Sequence, residues 1–237
     1  MSDTLPRLEP VGSSPAQPSA VVLVLHGGKA HSEESSERKR LAYRRMLPFA
    51  WTLARRGLAV YVLRYRVRGW NGPAQDALVD TRWATAELAE KHAGVPVVLL
   101  GHSMGGRAAL AAAGAPNVTA VCALAPWLDG SDPVGQLAGR TVLLAHGDRD
   151  RWTDPAASFA YAVRAKAAGV AICRFDLPGA GHFMLARLSA WNALVRRFIL
   201  GVTGVEPLDR AIANALAQPA PYGLTAQLTE MESPRAG

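Results

Sequence analysis

Two stretches of this chain, Val21-Val22-Leu23-Val24-Leu25 and Val97-Val98-Leu99-Leu100, are apolar at every position rather than at every second one. A strand with one wet face alternates, whereas a strand covered on both faces does not, so these runs call for a sheet sandwiched between helices. Strand-length apolar runs lie at 20–25, 59–65, 96–100, 119–125, 141–146 and 170–176. Amphipathic stretches of helix length fall at about 40–56, 73–92, 105–114, 155–168 and 183–200. Strand, helix, strand repeated in this way requires parallel neighbours and right-handed crossovers, hence a twisted sheet with helices on both faces. Loops at the carboxyl ends of such strands converge on one side, and reactive residues are expected there.

The composition can fill such a core. Hydrophobic residues make up 49% of the 237 and charged residues 19%, which excludes a disordered chain and suits one domain. Residues 1–19, rich in Pro and Ser, read as a flexible lead-in with room for at most one short edge strand. The domain is expected over 20–201, and 202–237 as a partly ordered extension with a helix near 208–217 ahead of Pro219 and Pro221. No apolar run reaches the roughly 18 residues that span a bilayer, and residues 1–17 show neither a basic start nor an apolar core, so a cytoplasmic protein without membrane insertion is expected. Cys122 and Cys173 sit in apolar runs, where buried, reduced thiols are expected. The net charge of +7 raises the question of nucleic acid. The arginines are spread along the chain, and the densest run, Arg38, Lys39, Arg40, Arg44 and Arg45, reads as a surface helix. With no aromatic stacking platform or groove-reading motif beside the charge, no nucleic-acid partner is expected.

Four loops carry the chemistry. The run ending at Leu100 passes through Gly101-His102-Ser103-Met104-Gly105-Gly106 straight into an alanine-rich helix. A serine hydroxyl is a weak nucleophile unless it is projected clear of its neighbours toward a base, and a glycine-flanked turn from strand to helix does this. The helix N-terminus behind it offers free N–H groups where an oxyanion would form. A serine that only caps the helix is the plainer alternative. His26-Gly27-Gly28 ends the first run, so Gly28 and Met104 could supply the two oxyanion donors, with His26 holding its loop rather than acting as base. His146-Gly147-Asp148-Arg149-Asp150 ends the fifth run. Asp150 is preferred as the acid that orients an imidazole; Asp148 suits a turn, and Asp154 suits a helix N-cap before Pro155. His182, in Gly179-Ala180-Gly181-His182-Phe183, is the one histidine that follows this acidic cluster, and a histidine on a glycine-rich loop can serve as general base.

Taken together, HGG at 26–28, GHSMGG at 101–106, HGDRD at 146–150 and GAGHF at 179–183 resemble the α/β-hydrolase superfamily, in its order of nucleophile, acid and histidine, over about 20–200. The resemblance implies a three-layer α/β-hydrolase fold and a Ser103–Asp150–His182 triad whose acyl-enzyme is resolved by water. Fuller members carry an antiparallel hairpin before the HGG strand, for which twenty residues leave little space. A reduced, mostly parallel sheet of six or seven strands is therefore expected. Residues 126–140 are too few for a separate lid domain, and the chain looks most like small dienelactone-hydrolase-like or peptidase-like esterases.

Side chains beside the motifs, Trp70, Asn71, Trp127, Leu128, Trp152 and Phe183 with Met184, are the candidates to border a substrate pocket suited to an apolar or aromatic ligand. Lys29, Arg66 and Arg68 share these loops, where a solvated role is preferred over an anion-binding one. No metal constellation, dinucleotide fingerprint or P-loop is present, so the expected reaction is cofactor-free hydrolysis of a small-molecule ester, with thioesters or lactones next. A peptidase of the same fold, and a non-catalytic binding module, rank behind it.

Overall fold

In the computed structural model, which describes residues 5–227, the continuous apolar runs form the middle of a single sheet. Its strands are β1 (Arg7–Pro10), β2 (Val21–Leu25), β3 (Ala59–Arg64), β4 (Val97–His102), β5 (Val118–Leu124), β6 (Thr141–Gly147), β7 (Ala171–Leu177) and β8 (Ala226–Gln227), arranged in the order β1-β3-β2-β4-β5-β6-β7-β8. All neighbours are parallel except β1, which runs antiparallel to β3.

The helices are α1 (Leu41–Ala54), α2 (Asp76–Lys91), α3 (Met104–Ala112), α4 (Pro155–Ala167), α5 (Leu188–Val202) and α6 (Arg210–Ala217). Strand β2 shows why every position is apolar. Val21, Leu23 and Leu25 enter one core with α2, α3 and α4, while Val22 and Val24 enter the other with α1, α5 and α6. Cys122 and Cys173 lie buried and unpaired in the second core, where burial pushes the Cys173 thiol up to about 12 and keeps it protonated. Among the described residues no helix is long and apolar enough to cross a membrane.

The sheet has eight strands, not six or seven. Both additions are edge strands too short to show a period. In β1 the inward residue is Glu9, and Arg38, Arg64 and the Tyr43 hydroxyl hold its carboxylate, so charge rather than apolar burial seats the strand. The two residues of β8 follow a Pro- and Gly-rich stretch pinned by Lys166, which donates to the carbonyls of Ala215 and Tyr222, and by Arg174, which donates to that of Leu224. Helix α5 begins at Leu188 rather than near 183. Met184 is buried, and Met184 and Arg187 adopt left-handed φ of 58° and 62°, which breaks a helix there and leaves an irregular loop after His182.

Candidate active site

The turn from β4 to α3 is built around Ser103, whose φ of 57° and ψ of −120° are unfavourable for a side-chain-bearing residue. The surroundings enforce it: the Ser103 N–H donates to the Leu124 carbonyl at 3.0 Å, and the Ser103 carbonyl accepts from Arg107 and Trp127, both at 3.1 Å. The flanking glycines are steric requirements. A Cβ on Gly101 would stand 2.2 Å from the Gly105 carbonyl oxygen, and one on Gly105 would stand 2.4 Å from that of Leu25.

Three loops converge on this turn. His182 Nε2 lies 3.1 Å from Ser103 Oγ, and His182 Nδ1 lies 2.8 Å from Asp150 Oδ2. Asp150 Oδ1 accepts the N–H groups of Trp152 and Thr153 at 2.8 and 3.0 Å, while Oδ2 also faces the Thr153 hydroxyl at 2.9 Å and His146 Nε2 at 3.3 Å. Burial of Asp150 pushes its pKa up, but the hydrogen bonds from His146 and His182, with those from the Thr153 and Trp152 backbone, outweigh it and hold the carboxyl well below the usual carboxylate range. The neighbouring acids are occupied elsewhere. Asp148 accepts the Gly179 N–H at 2.7 Å, bracing the histidine loop, and Asp154 caps α4 through Ala156.

His26 and His102 are buried braces. His26 lies between the Gly27 carbonyl at 2.8 Å and the Ser36 hydroxyl at 3.1 Å, and His102 donates from Nε2 to the His182 carbonyl at 2.9 Å. Burial lowers the pKa of His26 to about 4, and burial with the nearby His182 lowers that of His102 to about 3. Both remain neutral in the folded protein down to acid pH, while the unfolded chain takes up protons near 6.5. Stability due to these histidines is therefore complete above about 6.5 and is lost as pH falls from there toward their folded values. Between pH 7 and pH 5 the protein is expected to lose roughly 3–4 kcal/mol from the pair, before most carboxylates titrate. Urea unfolding at the two pH values measures it, and equal midpoints would contradict the assignment.

Ser103 opens into a cavity of about 520 Å³ whose wall includes Gly27, Gly28, His102, Met104, Thr153 and His182. The Gly28 and Met104 N–H groups find no acceptor among the described residues, and a Cβ on Gly28 would stand 2.3 Å from the Arg68 carbonyl oxygen, so only glycine permits this close approach. Trp127, Trp152 and Phe183 line the cavity as well. Trp152 is 72% exposed, and with the exposed Leu41 it forms part of an outward-facing apolar rim.

Trp70, Asn71 and Leu128 are not part of the lining. Trp70 is 5% exposed, and the Arg107 guanidinium lies 4.8 Å from the ring centres of both Trp70 and Trp127. Asn71 ties the loop after β3 to the loop after β2 through Ser32, and Leu128 packs into the core. Arg66 and Arg68 are not solvated but paired with acids, Arg66 with Asp76 and Asp80 and Arg68 with Glu34, whereas Lys29 lines the cavity. Sequence reasoning gave no role to His146, Thr153 or Arg45. His146 had a legible signal, a polar residue ending an apolar strand four positions before Asp150, but the other two had none.

Residues 16–142 match the family described as Serine aminopeptidase, S33. No curated protein matches the chain. Among solved structures, a lid-less α/β serine hydrolase from Xanthomonas campestris is similar at 20% identity, with 86% of this chain and 90% of that one covered and a TM-score of 0.62. Est1E from Butyrivibrio proteoclasticus, solved with ferulic acid bound, is similar at 18% identity over 84% of this chain and 95% of that one, with a TM-score of 0.63. A thermophilic esterase from Thermogutta terrifontis, solved with propionate bound, is similar at 17% identity over 83% of this chain and 89% of that one, with a TM-score of 0.62. At these identities the likeness is one of fold.

Proposed function

Because this chain belongs to the serine aminopeptidase S33 family of α/β-hydrolases, we propose that it is a serine esterase that cleaves a carboxylic ester of a small to medium substrate through an acyl-enzyme on Ser103. The observation that carries this reading is the unbroken chain of contacts from Asp150 through His182 to Ser103, at 2.8 and 3.1 Å, at the wall of an open cavity. Ser103 gives its proton to His182 Nε2 as Oγ attacks the ester carbonyl, and the Asp150 carboxylate stabilises the imidazolium through Nδ1–H. The developing oxyanion accepts the free N–H groups of Gly28 and Met104, at the positive end of α3. His182 then protonates the departing alcohol, and water, activated by the same imidazole, releases the acid. Thr153 and His146 steady Asp150 from behind.

The cavity lining favours esters over aminopeptidase substrates. An aminopeptidase has to hold a free ammonium, and none of the described residues lining this cavity is acidic, while Lys29 and Arg45 both are basic. Trp127, Trp152 and Phe183 suit an apolar or aromatic group, and the structural relatives Est1E and the Thermogutta esterase were solved with ferulic acid and propionate. Thioesters and lactones present the same carbonyl to the same groups. Size-matched p-nitrophenyl esters sharing one leaving group, with a neutral acyl group on one and a free α-amino group on the other, test the reading. The kcat/KM for the neutral acyl ester is expected to exceed that for the aminoacyl ester by about tenfold or more, or about 1.4 kcal/mol of misplaced charge. Equal or faster cleavage of the aminoacyl ester would reverse it.

A further inference from the structure

Arg45 belongs to the basic run that reads as a solvated helix face, yet from α1 its side chain forms part of the cavity wall. Its guanidinium carbon lies 4.7 Å from the centre of the Phe183 ring, and its Nε is shielded from solvent with no hydrogen-bond partner among the described residues. Arg38, Arg40, Arg66, Arg68 and Arg107 each hold a carboxylate; among the described residues Arg45 holds none. A charged donor out of water is costly unless some acceptor completes it, and guanidinium stays charged at any working pH. Lys29 lines the same cavity and forms no ion pair among the described residues, because the nearby Glu34 is taken by Arg40 and Arg68. Asp150, the acid nearest the site, lies behind His182 and is filled by its own hydrogen bonds.

We propose that the cavity takes an ester that carries a carboxylate, received by Arg45 beside Phe183 with Lys29 assisting at the mouth. This rests on the esterase reading above and names its substrate class. Guanidinium and carboxylate match in shape as well as charge, and a charge-assisted pair in a partly dry site contributes far more than a surface one.

Two matched pairs of esters test it. The p-nitrophenyl hemiglutarate against p-nitrophenyl valerate places the charge on the acyl side, and 4-acetoxybenzoate against its methyl ester places it on the leaving group. For at least one pair the anionic ester is expected to show kcat/KM at least about tenfold above its neutral partner, the effect of one charge-assisted hydrogen bond. Arg45→Gln should bring that ratio near one, and Arg45→Lys should keep part of it. Loss of fold lowers both esters alike and leaves the ratio untouched, so the ratio reads recognition alone. Calorimetric binding of the same pairs to Ser103→Ala protein reports the preference without turnover. Anion preference in binding with no hydrolysis of any ester would sink the esterase reading and leave this proposal standing. Ratios near one in the wild-type protein, or a ratio that Arg45→Gln leaves unchanged, would overturn the proposal.

Discussion

Replacing Ser103 with alanine is expected to lower kcat toward a p-nitrophenyl ester by about 10⁶-fold, the loss seen when a triad nucleophile is removed outright. His182 Nε2 then faces a methyl group, no acyl-enzyme forms, and the Gly28 and Met104 N–H groups are left to polarise a carbonyl that nothing attacks. Fold stability should stay within about 1 kcal/mol, because alanine keeps the Cβ and the backbone bonds to Leu124, Arg107 and Trp127 that hold the turn. Steady-state kinetics and labelling by a fluorophosphonate probe measure the loss. Full hydrolysis by the alanine protein would mean that another group is the nucleophile.

Asp150→Asn is the second large effect, about 10⁴-fold in kcat. The carboxylate is a pure acceptor, and His182, Trp152 and Thr153 all direct hydrogen atoms at it, with His146 in reach. An amide can present its oxygen to only one side of this ring of donors. Its NH₂ then meets either the backbone N–H pair or the imidazoles, and in the latter case His182 is driven to the tautomer whose Nε2 carries a proton and cannot take one from Ser103. Asp148→Asn is the control. Its single bond accepts the Gly179 N–H, which an amide oxygen can also accept, so kcat should change by no more than a few-fold. Matching losses from both variants would remove Asp150 from its assigned role.

Much of this architecture was legible because the physics that builds it leaves long marks. A strand such as β2, feeding alternate residues to two cores, has to be apolar throughout, and two runs of that kind with four more mostly apolar ones place the sheet. The loops at their ends name Ser103, Asp150 and His182, which the fold brings within hydrogen-bond range. The edges were less legible: residues 1–19 left room for one short edge strand without placing it, and nothing signalled the other. Strand β1 is seated by an acid in contact with Arg38, Arg64 and Tyr43, residues far along the chain, and β8 is two residues long. The pocket wall was read only in part, since proximity to a motif does not say which way a side chain turns. Trp70 turns to Arg107 and Trp127, an arginine inside an alanine-rich helix that would have been the clue to a buried cation stack. Arg45 was hidden for the opposite reason: the other basic residues of its run, Arg38, Lys39, Arg40 and Arg44, are exposed or half-exposed, and a helix turns one residue inward without altering the composition of the run.

The outward-turned rim has a kinetic corollary. Leu41 and Trp152 are both more than two-thirds exposed, so neither covers the mouth of the cavity. On the proposed mechanism no gate has to open before each turnover. By the same mechanism an acyl group on Ser103 would face the bulk liquid, and added methanol or ethanol would compete with water for it according to both concentration and nucleophilicity.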